Sequence, residues 1–280
     1  MGKKFRSSAR PRLGQHFLMD YRVRDRIVSS LNLQPSDTVL EIGAGRGFLT
    51  EALAPRVRKL WAVETDARWA AILKAAFVDS EQVEVIAEDI LKVDFHDFAP
   101  PGQEKAALRI VGNLPYFISS PILFRLFDYT GLIRDATLML QREMAERITA
   151  TPTGKEYGYA SLATQLFSRA EILFTIPPSS FSPPPQVHSS VVRLLMSPRA
   201  EQLALDDAPR FLKFAQQIFL EKRKTLLNNL KRFIVNNTDT HTQLQEILRE
   251  CSLDLKVRAE NTPLEATALL YRTLRQRGFL

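Results

Sequence analysis

Through roughly the first 200 positions, short unbroken apolar runs alternate with stretches in which apolar residues recur every third or fourth place; beyond Pro198 only the second pattern continues. The runs Thr38–Ile42, Leu60–Val63, Val83–Ile86, Leu108–Val111 and Thr137–Leu140 read as buried strands. Helices are expected between them. Tyr21–Leu31 places Val23, Ile27, Val28 and Leu31 on one face, Phe48–Leu53 follows a glycine loop, and Ser119-Ser120-Pro121 caps a segment holding Ile122, Leu123, Leu126 and Phe127. Gln141–Ala150 and Leu162–Phe167 are helical by pattern, whereas Glu171–Ile176 and Ser190–Leu195 read as two more strands near the end of the sheet. The last 80 residues predict helices at Asp206–Arg232, Thr240–Arg249 and Pro263–Gln276, with faces such as Leu244, Ile247 and Leu248. Alternating strands and helices specify an α/β fold with a parallel sheet, followed by a small all-helical domain. We expect three parts: an arm over 1–20, an α/β domain over 21–199 and a helical domain over 200–280.

The candidate chemistry lies where the strands end. The first strand runs into Gly43-Ala44-Gly45-Arg46-Gly47 and then a helix, the opening unit of a Rossmann-like sheet, in which glycines let a ligand approach the backbone. Glycine at every second position differs from G-x-G-x-x-G and suits a nucleoside without a pyrophosphate. The second strand ends at Glu64, about 20 residues on, where an acid can accept from two ribose hydroxyls, and Asp89 follows the third, placed to accept from an adenine amino group. The fourth delivers Asn113-Leu114-Pro115-Tyr116 to the same edge, an amide, a free carbonyl and a phenol suited to a flat nitrogen-bearing ring. The stiff loop Pro177–Pro185 carries Phe181, either a pre-positioned stacking surface or an anchor into the core.

Composition narrows the partners. The net charge of +7 and pI near 9.6 suit a polyanion, and the cations cluster: Lys3, Lys4, Arg6, Arg10 and Arg12 in the arm, then Lys222, Arg223, Lys224, Lys231 and Arg232 on one expected helical stretch. A nucleic-acid footprint is the reading. One cysteine, Cys251, excludes an intrachain disulfide framework, and four histidines without ligand spacing argue against a protein-bound metal. No apolar run reaches membrane-spanning length and no apolar signal core opens the chain, so a cytoplasmic protein is expected.

Four segments together resemble the ribosomal RNA adenine dimethyltransferases over nearly the whole chain: Gly14-Gln15-His16-Phe17-Leu18, Glu41-Ile42-Gly43-Ala44-Gly45, Asn113-Leu114-Pro115-Tyr116 and Phe181-Ser182-Pro183-Pro184-Pro185. Arg258-Ala259-Glu260-Asn261 resembles the branch acting on bacterial small-subunit (16S) rRNA. The glycine loop alone is generic to S-adenosylmethionine enzymes, whereas its combination with Asn-Leu-Pro-Tyr is specific. The resemblance implies a class I S-adenosylmethionine-dependent methyltransferase sheet and N6,N6-dimethylation of two adjacent adenosines near the 3′ end of 16S rRNA during ribosome biogenesis. It implies that Gln15, His16 and Leu18 contact the methionine end of S-adenosylmethionine, Gly43 and Gly45 its backbone approach, Glu64 the ribose, Asp89 the adenine, and Asn113 both cofactor and substrate. Asn113 and the Pro115 carbonyl would aim the amino nitrogen, beside Leu114, while Tyr116 and Phe181 stack on the target base. His16 stands where the family more often has Asn, and Ala44 where it has Pro; Ala160 stands where a larger aliphatic residue is common. The expected partner is the small ribosomal subunit. A monomer is favoured, although no residue pattern fixes the oligomeric state. Two rivals remain: a large-subunit rRNA adenine methylase of the macrolide-resistance type, and a non-catalytic RNA- or DNA-binding factor on the same fold.

Overall fold

The computed structural model describes residues 16–100, 102, 105–234 and 239–280. Its main sheet has seven strands in the order β4-β3-β2-β5-β6-β9-β7. These are β2 (Thr38–Ile42), β3 (Lys59–Val63), β4 (Val83–Ile86), β5 (Leu108–Asn113), β6 (Ile133–Gln141), β7 (Ser168–Ile176) and β9 (Ser189–Met196). All five residues of β2 are buried, as a strand covered on both faces requires. Strands β2 to β6 pair in parallel and β9 returns antiparallel to β6. A separate two-stranded ladder joins β1 (Phe17–Leu18) to β8 (Phe181–Ser182).

Register sets the working edge. Ile42 pairs with both Val63 and Gly112, and Val63 with Ile86, so β2, β3, β4 and β5 end level with one another. The ladder continues one step beyond, with the Gly43 amide donating to Val63 and the Glu64 amide to Ile86. Because the chain winds outward from β2 through β4 and then crosses to β5 on the other side, the edge between β2 and β5 is a topological switch point.

The opposite edge is tied by charge. Arg109 of β5 bonds Asp37 at 2.8 Å and Asp135 at 3.1 Å, and it also donates to the carbonyls of Leu31 and Asn32, where helix α1 (Tyr21–Leu31) ends. Arg134 bridges the same two acids. Burial would raise the Asp37 carboxyl, but the Gln34 amide, Arg109 and Arg134 outweigh it and hold it below its ordinary value. Helices α2 (Thr50–Leu53), α3 (Ala67–Ala76) and α4 (Ser119–Asp128) complete the expected alternation. The shared core includes Leu53, Leu60, Leu73 and Ile176.

Two compact units emerge: the chain through Ala145 with Glu171–Met196, and Glu146–Ala170 with Ser197–Leu280. This division differs from the expected 21–199 and 200–280. The break at Met196 lies close to the expected one, but Tyr157, Leu162 and Leu166 belong to the second unit's core, with Phe211, Leu230, Leu248 and Tyr271. The second unit holds α6 (Tyr159–Phe167), α7 (Ala208–Ile218), α8 (Leu226–Leu230), α9 (Thr240–Glu250) and α10 (Leu264–Gln276); α5 (Arg142–Thr149) straddles the division.

The helix expected over Asp206–Arg232 is two helices with a turn between them. Thr225 caps α8 by accepting from the Asn228 amide, and the buried Asn229 side chain donates to the carbonyls of Ile218 and Glu221. These bonds satisfy the end of one helix and the start of the next, which a continuous helix would not need. Lys222, Arg223 and Lys224 therefore occupy a turn. Lys224 and Arg232 are ion-paired with Glu221.

Candidate active site

The level strand ends open onto a pocket continuous with solvent and lined by residues from every one of them: Gly43, Gly45, Glu64, Asp89, Asn113 and Tyr116. Gly43 and Gly45 have φ of +72° and +54°, the left-handed region that disfavours side chains, and a Cβ on Gly45 would sit 2.9 Å from the Phe17 ring. Phe17 thus packs where a side chain on Gly45 would stand, and both glycines line the pocket.

Glu64 is 4% exposed. Its Oε2 accepts from the Gly45 amide and its Oε1 from the Asp66 amide, both at 2.8 Å. Burial raises its carboxyl above the ordinary range, opposed by those amides. The Thr65 amide also acts on this carboxylate, and its remaining acceptor capacity faces the pocket. Below it Glu41, fully enclosed, is raised to about 8 by burial, despite a 2.7 Å bond from Thr50. It is protonated at neutral pH. Asp89 accepts from the Leu91 amide through Oδ1.

The Asn113 amide is oriented from one side. Its Nδ2 donates to the His16 carbonyl at 2.9 Å, which leaves Oδ1 as the acceptor. The Pro115 carbonyl is already occupied: it accepts from the Ile118 amide and the Ser119 hydroxyl, both at 3.1 Å. In this structure the turn Tyr116–Ile118 and the Ser119 hydroxyl thus occupy the carbonyl expected to accept from a substrate amino group. The Leu114 side chain is buried, and among the described residues no donor reaches its carbonyl. Tyr116 lies against the His16 ring, centroids 5.5 Å apart, and its hydroxyl is 2.8 Å from the Ser189 hydroxyl. Burial raises the phenol, while Ser189 works the other way.

His16 Nδ1 donates to the Pro183 carbonyl at 2.8 Å. The neutral ring therefore keeps Nε2 as an acceptor, and a second donation requires the protonated form. Leu18 turns into the core and its neighbour Phe17 lines the pocket, since adjacent residues of a strand face opposite sides. Phe181 is 4% exposed and packs in the same core, held by pairing with Leu18. In this structure the ladder to β1 turns the ring into the core. Gln15, Lys3, Lys4, Arg6, Arg10 and Arg12 lie outside the described residues.

Sequence reading missed Phe17, Thr65, Glu88, Ile90, Ile118 and Ile122, which also line the pocket. Thr65 and Glu88 each adjoin an acid that was found, a signal available in the sequence. Ile118 and Ile122 carried only a helical pattern.

The family model for ribosomal RNA adenine dimethylase matches residues 6–275. The chain belongs to that family. Among its relatives, proteins named ribosomal RNA small subunit methyltransferase A are 41% identical in Koribacter versatilis, over 98% of this chain and 97% of the relative, and 41% identical in Acidobacterium capsulatum, over 96% and 92%. The solved dimethyladenosine transferase of Plasmodium falciparum is 26% identical, with TM-score 0.79 over 94% of this chain and 99% of its own. The 23S rRNA methyltransferase ErmE is also 26% identical, with TM-score 0.68 over 93% and 100%. This family member is an rRNA adenine methyltransferase that uses S-adenosylmethionine. The pocket fits that cofactor: two glycines that line it, a buried acid with spare acceptor positions, and an oriented amide stand together.

Proposed function

We propose that this site dimethylates, at N6, two adjacent adenosines near the 3′ end of 16S rRNA during ribosome biogenesis in the cytoplasm, without a protein-bound metal. Among the described residues no cluster of three or more His, Cys, Asp or Glu is arranged to hold a metal, and no helix is long and apolar enough to cross a membrane. The observation that carries the reading is Asn113, whose amide is turned by the His16 carbonyl so that Oδ1 accepts.

Glu64 holds the two ribose hydroxyls of the cofactor on its spare acceptor positions, Asp89 its adenine amino group, and Gly43 and Gly45 keep the backbone clear. His16 adjoins its methionine end. When bound, S-adenosylmethionine supplies an electrophilic methyl on a sulfonium. An adenine amino nitrogen is a poor nucleophile because its lone pair is delocalised into the ring. Asn113 Oδ1 and the Leu114 carbonyl accept its two hydrogens, drawing the nitrogen toward tetrahedral geometry and aiming the lone pair. Tyr116, backed by His16 and tethered to Ser189, stacks on the extruded base and offsets its unstacking. Positioning carries most of the catalysis. The basic arm, the exposed Lys222 and Arg223, and Lys231 contribute phosphate contacts.

The test is transfer of labelled methyl to unmethylated small-subunit particles. Label on two neighbouring adenosines, abolished by Asn113→Ala, is expected; equal transfer by the variant would refute the assignment. The likeness to a 23S rRNA methyltransferase gives the rival reading, which a preference for naked large-subunit RNA would favour.

A further inference from the structure

We propose that Arg46 is a positioning residue for cofactor binding: stacked on Phe17 and Trp69, its guanidinium holds the Phe17 ring in place as a wall of the pocket. The inference rests on the reading of that pocket as the S-adenosylmethionine site and adds a residue that lies outside it.

Arg46 belongs to the glycine loop but is not among the residues that line the pocket. Its guanidinium carbon lies 4.6 Å from the centre of the Phe17 ring and 5.1 Å from that of the Trp69 ring, and the two rings meet edge to face at 5.4 Å. Three segments far apart in the chain are joined there: β1, the glycine loop and α3. Trp69 is fully buried. The Arg46 Nε is buried as well and has no hydrogen-bond partner, and among the described residues no carboxylate pairs with this side chain. A buried N–H without an acceptor is unfavourable, so the contact that keeps the group there is its attraction to the ring faces. Arginine suits the place because its guanidinium is flat and weakly hydrated.

Phe17 is where this contact reaches the cofactor. It lines the pocket, and its ring packs against Gly45, leaving no room for a side chain there. The Gly45 amide in turn donates to Glu64, and the carbonyl of His16, one residue before Phe17, accepts from Asn113. Without the cation behind it, the ring has more freedom in the ligand-free pocket, which binding must then take away. The affinity lost in this way cannot exceed the strength of the contact removed, which for a partly buried cation on two rings corresponds to about tenfold.

Titration calorimetry with S-adenosylmethionine, without RNA, tests this on wild type, Arg46→Met, Phe17→Leu and the double variant. Arg46→Met keeps an apolar stem and removes the charge, and its Kd is expected to rise about tenfold. In the Phe17→Leu background the same change should alter Kd less than about twofold, because the ring through which it acts is gone. Arg46→Gln carries the same comparison should the methionine variant fail to fold, which melting temperatures reveal. A Kd for the folded Arg46 variant within about twofold of wild type, whatever its melting temperature, overturns the proposal by reducing Arg46 to a structural role. An undiminished loss in the Phe17→Leu background overturns it too, since Arg46 would then act by another route. Wild type that binds no S-adenosylmethionine would instead overturn the cofactor reading, and the choice of RNA substrate does not enter the measurement.

Discussion

Replacing Glu64 by Gln changes one oxygen to an amino group in a place where both oxygens are in use. The backbone amides of Gly45 and Asp66 each point at one of them from 2.8 Å. A glutamine can accept only through its single oxygen, so its amino group must face one of those N–H groups, donor against donor. Leaving one buried N–H unsatisfied costs about 1–3 kcal/mol. For a unit of this size that lowers the melting temperature of the ligand-free protein by roughly 3–10 °C. Binding suffers more. Two hydrogen bonds from ribose hydroxyls to a charged acceptor contribute about 1.5–3 kcal/mol each, so loss of the charge and one acceptor should weaken S-adenosylmethionine by a hundredfold or so. Titration calorimetry measures the affinity, and scanning calorimetry without ligand measures stability. A folded Glu64→Gln whose Kd stays within about threefold of wild type would refute the ribose assignment. The pH dependence gives a second check. Burial raises the Glu64 carboxyl, and acceptance from both hydroxyls requires the ionised form, so wild-type affinity should fall as pH drops through that raised value. Stability runs the opposite way. The native state holds this proton more tightly than the unfolded chain, so the ligand-free protein loses stability as pH rises above the ordinary glutamate range.

The same sign applies to Glu41, raised from 4.5 to about 8: its contribution is full below 4.5 and is lost as pH climbs through 8, so Glu41→Gln should flatten the melting temperature across that window, as thermal melts at several pH values would show. Arg109→Met leaves Asp37 and Asp135 buried without their main partner and is expected to destabilise by about 3–5 kcal/mol in denaturant melts; a loss under 1 kcal/mol would mean that Arg134 suffices. Phe181→Ala empties a core position and should cost about 3–5 kcal/mol of stability, measured the same way; full stability with lost activity would instead restore the stacking role.

Much of the site could be read along the chain because its parts sit at ends of buried strands, and a strand covered on both faces is an apolar run whose ends are marked by the first polar residue. Gly43, Glu64 and Asn113 stand at the ends of such runs, whereas β4 alternates, with Glu84 exposed, and Glu88 precedes Asp89. Local pattern also determined α1, whose bounds Tyr21–Leu31 follow from its apolar spacing, with Asp20 capping its start. Tertiary structure decided the rest. Strand register, which places Ile42 level with both Val63 and Gly112, is a property of pairing between distant segments. So is the fate of Phe181: a loop aromatic faces solvent or core according to which strand it meets, and here it meets Leu18. Residues Glu146–Ala170 look like part of the α/β alternation, yet their apolar face is buried among helices that begin 40 residues later. The Pro115 carbonyl looked free in the sequence because its donors, Ile118 and Ser119, reach it only once the chain has turned. Hydrophobic pattern is local and so is written in the sequence; who accepts from whom depends on bonds closed between residues the pattern does not connect.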